Sequence, residues 1–210
     1  MRAALTFLML TTLSGCALLD MLPERTPAAV PIAKVYRSKS VDGHEIRRVA
    51  VIPFTDRAGH PSWTQAIEQA LVAAMRKNHP LDIVRLPASA LTDREEKNFH
   101  EDATVHQETL VRLRKAYNID AVIFATVTHF RAYTPMLVGL KLDMFSAGAG
   151  DVVWEVNAVY DAGAADVAQD VHNYHDTVLA SDDSLEGHKL ILLSPSRFTR
   201  YACARIVETW

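Results

Sequence analysis

Histidine is the residue type that first suggests chemistry in this sequence, because nine of the 210 residues are histidines. His172 and His175 stand three positions apart on a predicted helix, where their side chains can share one face. His100-Glu101 and His106 resemble the zinc motif H-E-x-x-H only superficially, since the second histidine follows the first by six positions instead of four. The sequence contains no C-x-x-C pair. We therefore expect no structural or catalytic metal and no cofactor.

The familiar patterns of nucleophilic and phosphate chemistry are absent from the sequence. It contains no G-x-S-x-G nucleophile elbow and no P-loop. Gly148-x-Gly150 lacks the third glycine of a dinucleotide-binding loop and joins two predicted strands. The carboxylate pairs Glu95-Glu96 and Asp182-Asp183 occur in polar, loop-like segments, where solvation is the ordinary explanation. The sequence therefore predicts that the protein is not an enzyme.

One loop is a candidate for binding a partner. Residues 55–60 directly follow the first predicted strand of the domain. Open α/β sheets usually present their binding groups at the carboxyl ends of strands. Asp56, Arg57 and His60 are therefore the candidate partner-binding residues. A simple solvated connection between a strand and a helix is the alternative interpretation.

The amino terminus has the pattern of a secretory signal. Arg2 supplies a positive charge, residues 3–13 are apolar but too short a run to span a bilayer, and two small residues follow. Leu13-Ser14-Gly15-Cys16 resembles the lipobox that the bacterial lipoprotein peptidase recognises. The resemblance implies that residues 1–15 are a signal peptide and that Cys16 is acylated, so that its sulfur becomes a thioether. A plain signal peptide with a chance cysteine is the alternative.

The residue after the predicted lipidation site bears on location. Ala17, rather than aspartate, follows Cys16, which suggests the outer membrane of a Gram-negative envelope, with the domain facing the periplasm. No second apolar stretch reaches the roughly 18 residues of a transmembrane helix. Cys203 then becomes the free cysteine of the mature chain, and its helical, apolar context predicts a buried, inert thiol.

Residues 16–47 are predicted to tether the lipid to a single α/β domain of residues 48–210. Pro23, Pro27 and Pro31 prevent a continuous helix and favour extended conformations. The chain carries 22 lysine and arginine residues against 25 aspartate and glutamate residues, a formal charge of −3. Because there is no basic excess, we expect no nucleic-acid partner.

Hydrophobic periodicity predicts the elements of the domain. Ser62 with Gln65, and Thr104 with Gln107, match the capping box that begins helices. Residues 87–103 are ambiguous because they are highly charged. The predicted elements are a strand at 48–54, a helix from 62, a strand at 81–86, a helix at 104–117 that ends at Asn118, a long strand at 121–133, a strand pair at 138–144 and 152–160, and two closing helices. This order indicates an α/β fold with a mixed sheet and flanking helices.

Three stretches resemble a known group of envelope lipoproteins. Residues 48–54, RVAVIPF, resemble the first strand of the curli-secretion lipoprotein (CsgG) family and of the TolB amino-terminal domain. Residues 119–125, IDAVIFA, are similar to another strand of that group, with alanine where glycine is common. Residues 148–154, GAGDVVW, resemble a hairpin found there and in LpoB-like activators of penicillin-binding proteins. The resemblance spans residues 47–162.

The resemblance implies an anticodon-binding-domain-like α/β sandwich that docks partners or assembles into rings without catalysing a reaction. We therefore expect an envelope lipoprotein that acts as a binding or assembly module in secretion, export or cell-envelope biogenesis. Its partners would be the membrane, through the lipid, and envelope proteins or further copies of itself. Residues 134–160 are too few, and too apolar on one face, for the membrane-spanning strand pair of a curli-type channel. The alternatives are an envelope hydrolase that uses the loop after the first strand, and an accessory lipoprotein of a lipid transporter.

Overall fold

The computed structural model describes residues 32–39, 46–102, 105–179 and 187–210. The predicted signal peptide, the lipidation site Cys16 and the carboxylate pair Asp182-Asp183 lie outside the described residues. The described elements, in chain order, are β1 (Ile32–Arg37), β2 (Arg48–Val51), β3 (Thr55–Asp56), α1 (Pro61–Asn78), β4 (Asp82–Arg85), α2 (Asp93–Asp102), α3 (Gln107–Tyr117), β5 (Ala121–Arg131), β6 (Leu137–Ser146), β7 (Val152–Asp161), α4 (Ala165–Val178), α5 (Gly187–Leu193) and α6 (Pro195–Val207).

Within the described ranges the strands form one mixed sheet in the order β1-β7-β6-β5-β2-β4, with β3 paired to β5 beyond the end of β2. β2 lies between β4 and β5 and runs parallel to both. β5, β6 and β7 form an antiparallel meander, and β1 is antiparallel to β7. Helices pack on both faces of this sheet. The α/β fold with a mixed sheet and flanking helices, predicted from the sequence, is confirmed.

The parallel centre of the sheet follows from its apolar residues. Val49, Ala50 and Val51 of β2 are at most 1 % exposed, because helices cover this strand on both sides. Pro53 ends the strand, since proline cannot donate a ladder hydrogen bond. Two residues later β3 resumes the pairing with β5. The chain therefore leaves the sheet at residues 57–60, beside the carboxyl end of β5.

The first face of the sheet, as we call it, is covered by α1, α4, α5 and α6 and contains the larger core. Trp154 of β7 lies within this core and is fully buried, as its place on the apolar side of the strand predicts. Its indole N–H donates a hydrogen bond to Thr209 Oγ1 at 3.0 Å. Cys203 of α6 is also fully buried, and burial raises the pKa of its thiol to about 12. The predicted burial of this thiol is therefore confirmed.

The second face is covered by α2 and α3 over the parallel strands, where it contains a smaller core. Phe124 lies between Phe99 and Phe145, with ring centroids 4.5 Å and 5.8 Å apart. Towards β7 and β1 this face becomes polar. Lys141 Nζ lies 3.3 Å from Asp143 Oδ2, and Glu155 follows on the neighbouring strand. Within the described ranges, the apolar packing of the first face therefore extends from β4 to β7, whereas that of the second face covers the parallel strands and ends at β6.

Both predicted capping boxes are wrong. α1 begins at Pro61, one residue before Ser62, and its N-cap residue His60 makes no side-chain capping bond. Proline at the first helical position has no N–H to satisfy and a backbone angle that suits a helix, so it starts α1 without a capping side chain. α3 begins at Gln107 with His106 as its N-cap residue, so Gln107 is the first helical residue and not the third. Asn118, predicted as the end of this helix, has the left-handed conformation with φ 51°.

The ambiguous residues 87–103 contain a capping box that periodicity did not reveal. The Glu95 N–H donates to Thr92 Oγ1 at 3.3 Å, and the Thr92 N–H donates to Glu95 Oε2 at 2.8 Å. This reciprocal pair begins α2, most of whose residues are polar.

The sheet also takes up part of the predicted tether. β1, within residues 16–47, pairs with β7 from Arg37 opposite Trp154 to Ile32 opposite Ala158. The sheet therefore begins before residue 48. As an edge strand, β1 has one strand partner, and Val35 and Tyr36 are 42 % and 47 % exposed. Such a strand lacks the uninterrupted apolar run that marks the buried strands.

Candidate docking site

Asp56, the first of the three predicted loop residues, shapes the turn between β3 and α1. Its Oδ1 accepts hydrogen bonds from the N–H groups of Ala58 and Gly59, both at 2.9 Å. Gly59 has a φ of +76°, a left-handed conformation that glycine adopts without steric cost. The carboxylate therefore stabilises the loop in one conformation. A simple solvated connection would not need such a fixed turn.

Arg57 and His60 are presented by this turn. The backbone N–H of Arg57 donates to the Val127 carbonyl oxygen at 3.0 Å, which ties the loop to β5, and the residue as a whole is exposed. His60 is also exposed, and its ring meets the edge of Phe130 with centroids 5.6 Å apart. The structure thus brings the predicted loop against the end of β5.

An aromatic cluster lies beneath the loop. Phe130 stacks on Trp63 of α1 with a centroid distance of 4.9 Å and an interplanar angle of 29°. Both rings are only partly buried. Tyr133, on the hairpin that follows Phe130, is 73 % exposed. We call Arg57, His60, Trp63, Phe130 and Tyr133 the aromatic surface.

The hairpin that carries Tyr133 is held at its base. The Arg131 guanidinium donates to the Pro135 carbonyl oxygen and lies 3.7 Å from Asp161 Oδ1. On the opposite side of the hairpin, Gly139 stands where a Cβ would come within 2.6 Å of Thr128 Oγ1, so the two strands approach too closely for a side chain. The exposed aromatic residue is thus displayed by a well-connected support.

The contacts of the loop suit binding better than proton transfer. Asp56 is engaged by its own turn, and His60 packs on Phe130. Aromatic residues and arginine are enriched in protein interfaces, because they combine large apolar area with directed polar contacts. The aromatic surface has this composition.

A second feature at the same end of the sheet was missed by sequence reasoning. An open groove of about 610 Å³ runs past the carboxyl ends of β2 and β4. Glu68 of α1 is buried beside it and accepts hydrogen bonds from the Arg85 guanidinium, at 2.8 Å from Nε, and from the Phe54 N–H at 3.3 Å. A glutamate between the core residues Ile67 and Leu71 is the signal that could have revealed this buried carboxylate and its ion pair with Arg85.

The histidines singled out by their spacing do approach one another. His172 and His175 lie near His188 of α5, with ring centroids 4.6 Å and 6.2 Å away. The carboxylate oxygens of Asp176 lie 3.1 Å from His172 Nδ1 and 3.3 Å from His175 Nδ1. Even so, across residues 32–39, 46–102, 105–179 and 187–210 no three histidine, cysteine or acidic side chains are arranged to hold a metal ion.

Within the described ranges the sheet has two edges, at β1 and β4. β4 is short and ends in the charged residues Asp82 and Arg85, which disfavour pairing with another strand. β1 is longer, and Val35 and Tyr36 are exposed on it.

Among the described helices none is long and apolar enough to cross a membrane.

Known proteins that resemble this chain are found among solved structures. No protein-family model and no curated protein matches the sequence. Solved structures that resemble it include the PelC dodecamer of Paraburkholderia phytofirmans, with 16 % identity over 61 % of this chain and 79 % of that one, and a TM-score of 0.45. Lipoprotein GNA1162 of Neisseria meningitidis is 16 % identical over 65 % of this chain and 99 % of that one, with a TM-score of 0.41.

The LpoB C-terminal domain of Salmonella enterica is 12 % identical over 57 % of this chain and 87 % of that one, with a TM-score of 0.35. At these identities and TM-scores the likenesses carry no argument about function.

Proposed function

We propose that this protein is a lipid-anchored envelope protein whose α/β domain docks other envelope proteins and does not catalyse a reaction. The observation that carries the proposal is the aromatic surface at the end of the sheet. Three aromatic side chains and a histidine remain partly or fully exposed there beside an exposed arginine. Exposed apolar patches rimmed by polar residues mark interaction sites in soluble proteins.

Rigidity supports a docking role for this surface. Trp63 and Phe130 stack on each other, so little conformational freedom is left to lose when a partner covers them. The turn that presents Arg57 and His60 is held by Asp56, and Pro61 begins α1 directly afterwards. A preorganised surface of this kind can bind with few contacts.

The predicted anchor explains how few contacts could suffice. The stretch between Cys16 and Ile32 spans at most about 55 Å when fully extended. A domain held this close to a membrane meets partners in the same envelope at a raised effective concentration. We place the anchor in the outer membrane and the domain in the periplasm on the basis of Ala17. Secretion, export and peptidoglycan synthesis are the pathways that the sequence resemblance favours.

The test is site-specific photo-crosslinking of the full chain in intact cells. A photoreactive phenylalanine analogue at Tyr133 should give a discrete adduct, whereas the same analogue at Val111, which is exposed on α3, should give none. Replacing Arg57 and His60 together by alanine should abolish the adduct without changing the melting temperature. Mass spectrometry of the adduct separates a second copy of this chain from a different envelope protein.

Two results would contradict the proposal. Equal adducts from positions 133 and 111 would mean that the aromatic surface has no particular partner. Turnover of an envelope substrate by the purified monomer, lost on replacement of Asp56 or His60, would establish the hydrolase alternative instead.

The anchor is tested separately. Cys16→Ser should leave the precursor uncleaved by the lipoprotein peptidase and free of label from a fatty-acid analogue. Equal labelling of wild type and variant would show that Cys16 is not the lipidation site.

A further inference from the structure

A half-open groove of about 440 Å³ lies on the outside of the helix layer of the first face, between α1, α4, α5 and α6. Its floor is shallow and apolar because small residues face each other there: Ala70 and Ala74 on α1, and Ala204 on α6. Tyr174 and Ile191, from α4 and α5, form its walls. The groove lies in the helix layer, away from the aromatic surface and the loop at residues 55–60.

Three cations border the groove. Lys77 of α1 and Arg197 and Arg200 of α6 are all exposed and line it. In the described part of the chain none of these three side chains forms an ion pair or a hydrogen bond with another residue. The acidic side chain in the lining is Glu208, and it already accepts a hydrogen bond from Arg205 Nη1 at 2.7 Å. Among the described residues, the rim of the groove therefore has three cations and one carboxylate that is already paired, in a chain whose net charge is −3.

An apolar floor with a cationic rim complements a molecule that has an anionic head and an apolar tail. Guanidinium groups bind phosphate oxygens through paired hydrogen bonds, and a lysine adds a mobile positive charge. The volume lies within the range of about 300–1,000 Å³ that is typical of small-molecule pockets. A stable protein partner would instead cover about 800 Å² of surface, far more than this groove offers.

We propose that this groove binds an anionic phospholipid, with the phosphate held by Lys77, Arg197 and Arg200 and the first part of an acyl chain lying on the alanine floor. The proposal rests on the proposed function only for the source of the lipid, which is the membrane that the anchor reaches. Binding of lipid in the groove and docking of a protein at the aromatic surface are independent events, because the two sites share no residue.

The experiment uses the full chain, purified in a non-ionic detergent and analysed by native mass spectrometry. The probes are dimyristoyl phosphatidylglycerol and dimyristoyl phosphatidylcholine, which have the same tails but differ in net charge. The wild-type protein should retain phosphatidylglycerol about tenfold more than phosphatidylcholine, because the choline ammonium of the latter offsets the charge of its phosphate and is repelled by the three cations. Combined replacement of Lys77, Arg197 and Arg200 by glutamine should remove that preference.

A matched control changes the same number of charges elsewhere. Glutamine at Arg94, Arg114 and Lys115, which are exposed on α2 and α3, should leave the preference intact. A second variant, Ala204→Leu, fills the floor while keeping the cations. It should weaken retention of both lipids, and its melting temperature shows whether it folds.

Each remaining outcome has a definite meaning. An equal loss of the lipid preference in the control triple variant would mean that net charge alone causes the preference, and it would overturn the proposed site. Displacement of the lipid by inorganic phosphate, with no effect of Ala204→Leu, would indicate an anion site without a tail and would also overturn it. The crosslink from Tyr133 should be unaffected by these variants, so that failure here is distinguishable from failure of the docking role.

Discussion

The two helix layers are each tied together by a carboxylate that accepts hydrogen bonds from an arginine and a hydroxyl group, yet they differ in burial. On the first face, Asp170 of α4 is 2 % exposed. It accepts two hydrogen bonds from the Arg205 guanidinium, at 2.8 Å from Nε and 2.7 Å from Nη2, and a third from the Tyr201 hydroxyl. This cluster joins α4 to α6 inside the protein.

On the second face the equivalent cluster lies nearer to the solvent. Glu95 of α2 accepts from Thr109 Oγ1 at 2.6 Å and from Arg112 Nη2 at 2.7 Å, both on α3. Arg112 is 45 % exposed in its side chain, whereas Arg205 is 14 % exposed.

The difference shows that burial determines how much a carboxylate–arginine pair contributes to stability. When Arg205 loses Asp170, its charge remains in a medium that solvates it poorly and keeps only the more exposed Glu208 as a partner, so the loss is large. An exposed arginine is solvated by water when its partner is lost, so the loss of stability is small. Acid removes such a pair by protonating the carboxylate. The first face should therefore control global stability, and the second face should control stability in acid.

The largest expected effect is on the core of the first face. Trp154→Ala should lower the free energy of unfolding by about 3–5 kcal/mol, because a fully buried indole is replaced by a cavity. Trp63→Ala is the matched control, since that ring is only partly buried and should cost less than half as much. Urea unfolding of both variants measures the difference. Equal costs would mean that the full burial of Trp154 adds nothing to its contribution to stability.

The buried cluster gives the next largest effect. Asp170→Asn keeps the shape of the side chain but removes the charge opposite Arg205, and should cost about 2–4 kcal/mol at neutral pH. Glu95→Gln makes the equivalent change on the second face and should cost about 1 kcal/mol. Chemical denaturation at pH 7 compares them. A larger cost at Glu95 would reverse the argument from burial.

Sequence patterns could predict those parts of the fold whose stability comes from periodic burial. Periodic apolar residues mark β2, β5, α1 and α3 in the sequence, because each of these four elements buries a regular face. α2 is different, since Phe99 is its one core side chain within the described residues. It is held by the capping pair of Thr92 and Glu95 and by contacts to α3, which no local pattern encodes.

The candidate site was predictable only in position. Residues 55–60 could be singled out because they follow a buried strand. The aromatic surface could not be predicted, because Trp63 and Phe130 are far apart in sequence and meet only once α1 and β5 pack. Trp63 lies at helical spacing from the buried Ile67, yet its own ring is only partly buried.

Acid should separate the two clusters. Burial alone would raise the pKa of Glu95, but hydrogen bonds from Thr109, Thr92 and Arg112 outweigh it and lower the pKa to about 2, from 4.5. The folded pKa is therefore below the unfolded one, so the stabilisation is complete above pH 4.5 and is lost as the pH falls towards 2. The gap in unfolding free energy between wild type and Glu95→Gln should accordingly shrink across this window. A gap that stays constant from pH 5 to about 2.5 would show that the carboxylate does not titrate as inferred.

The smallest effect concerns the polar part of the second face, where Asp143 tests whether an ion pair there outweighs burial. Burial raises the pKa of Asp143, and the charge of Lys141 opposes only part of that shift. Because the folded pKa is above the unfolded one, the folded state binds more protons between the two values, so stability falls as the pH rises through them.

Asp143→Asn removes this penalty and should raise the free energy of unfolding by about 0.5–1 kcal/mol at pH 7. Glu155→Gln, whose carboxylate pairs with the exposed Lys34, should change it by less than about 0.5 kcal/mol. If Asp143→Asn instead destabilises the protein at neutral pH, its pair with Lys141 contributes more than burial costs.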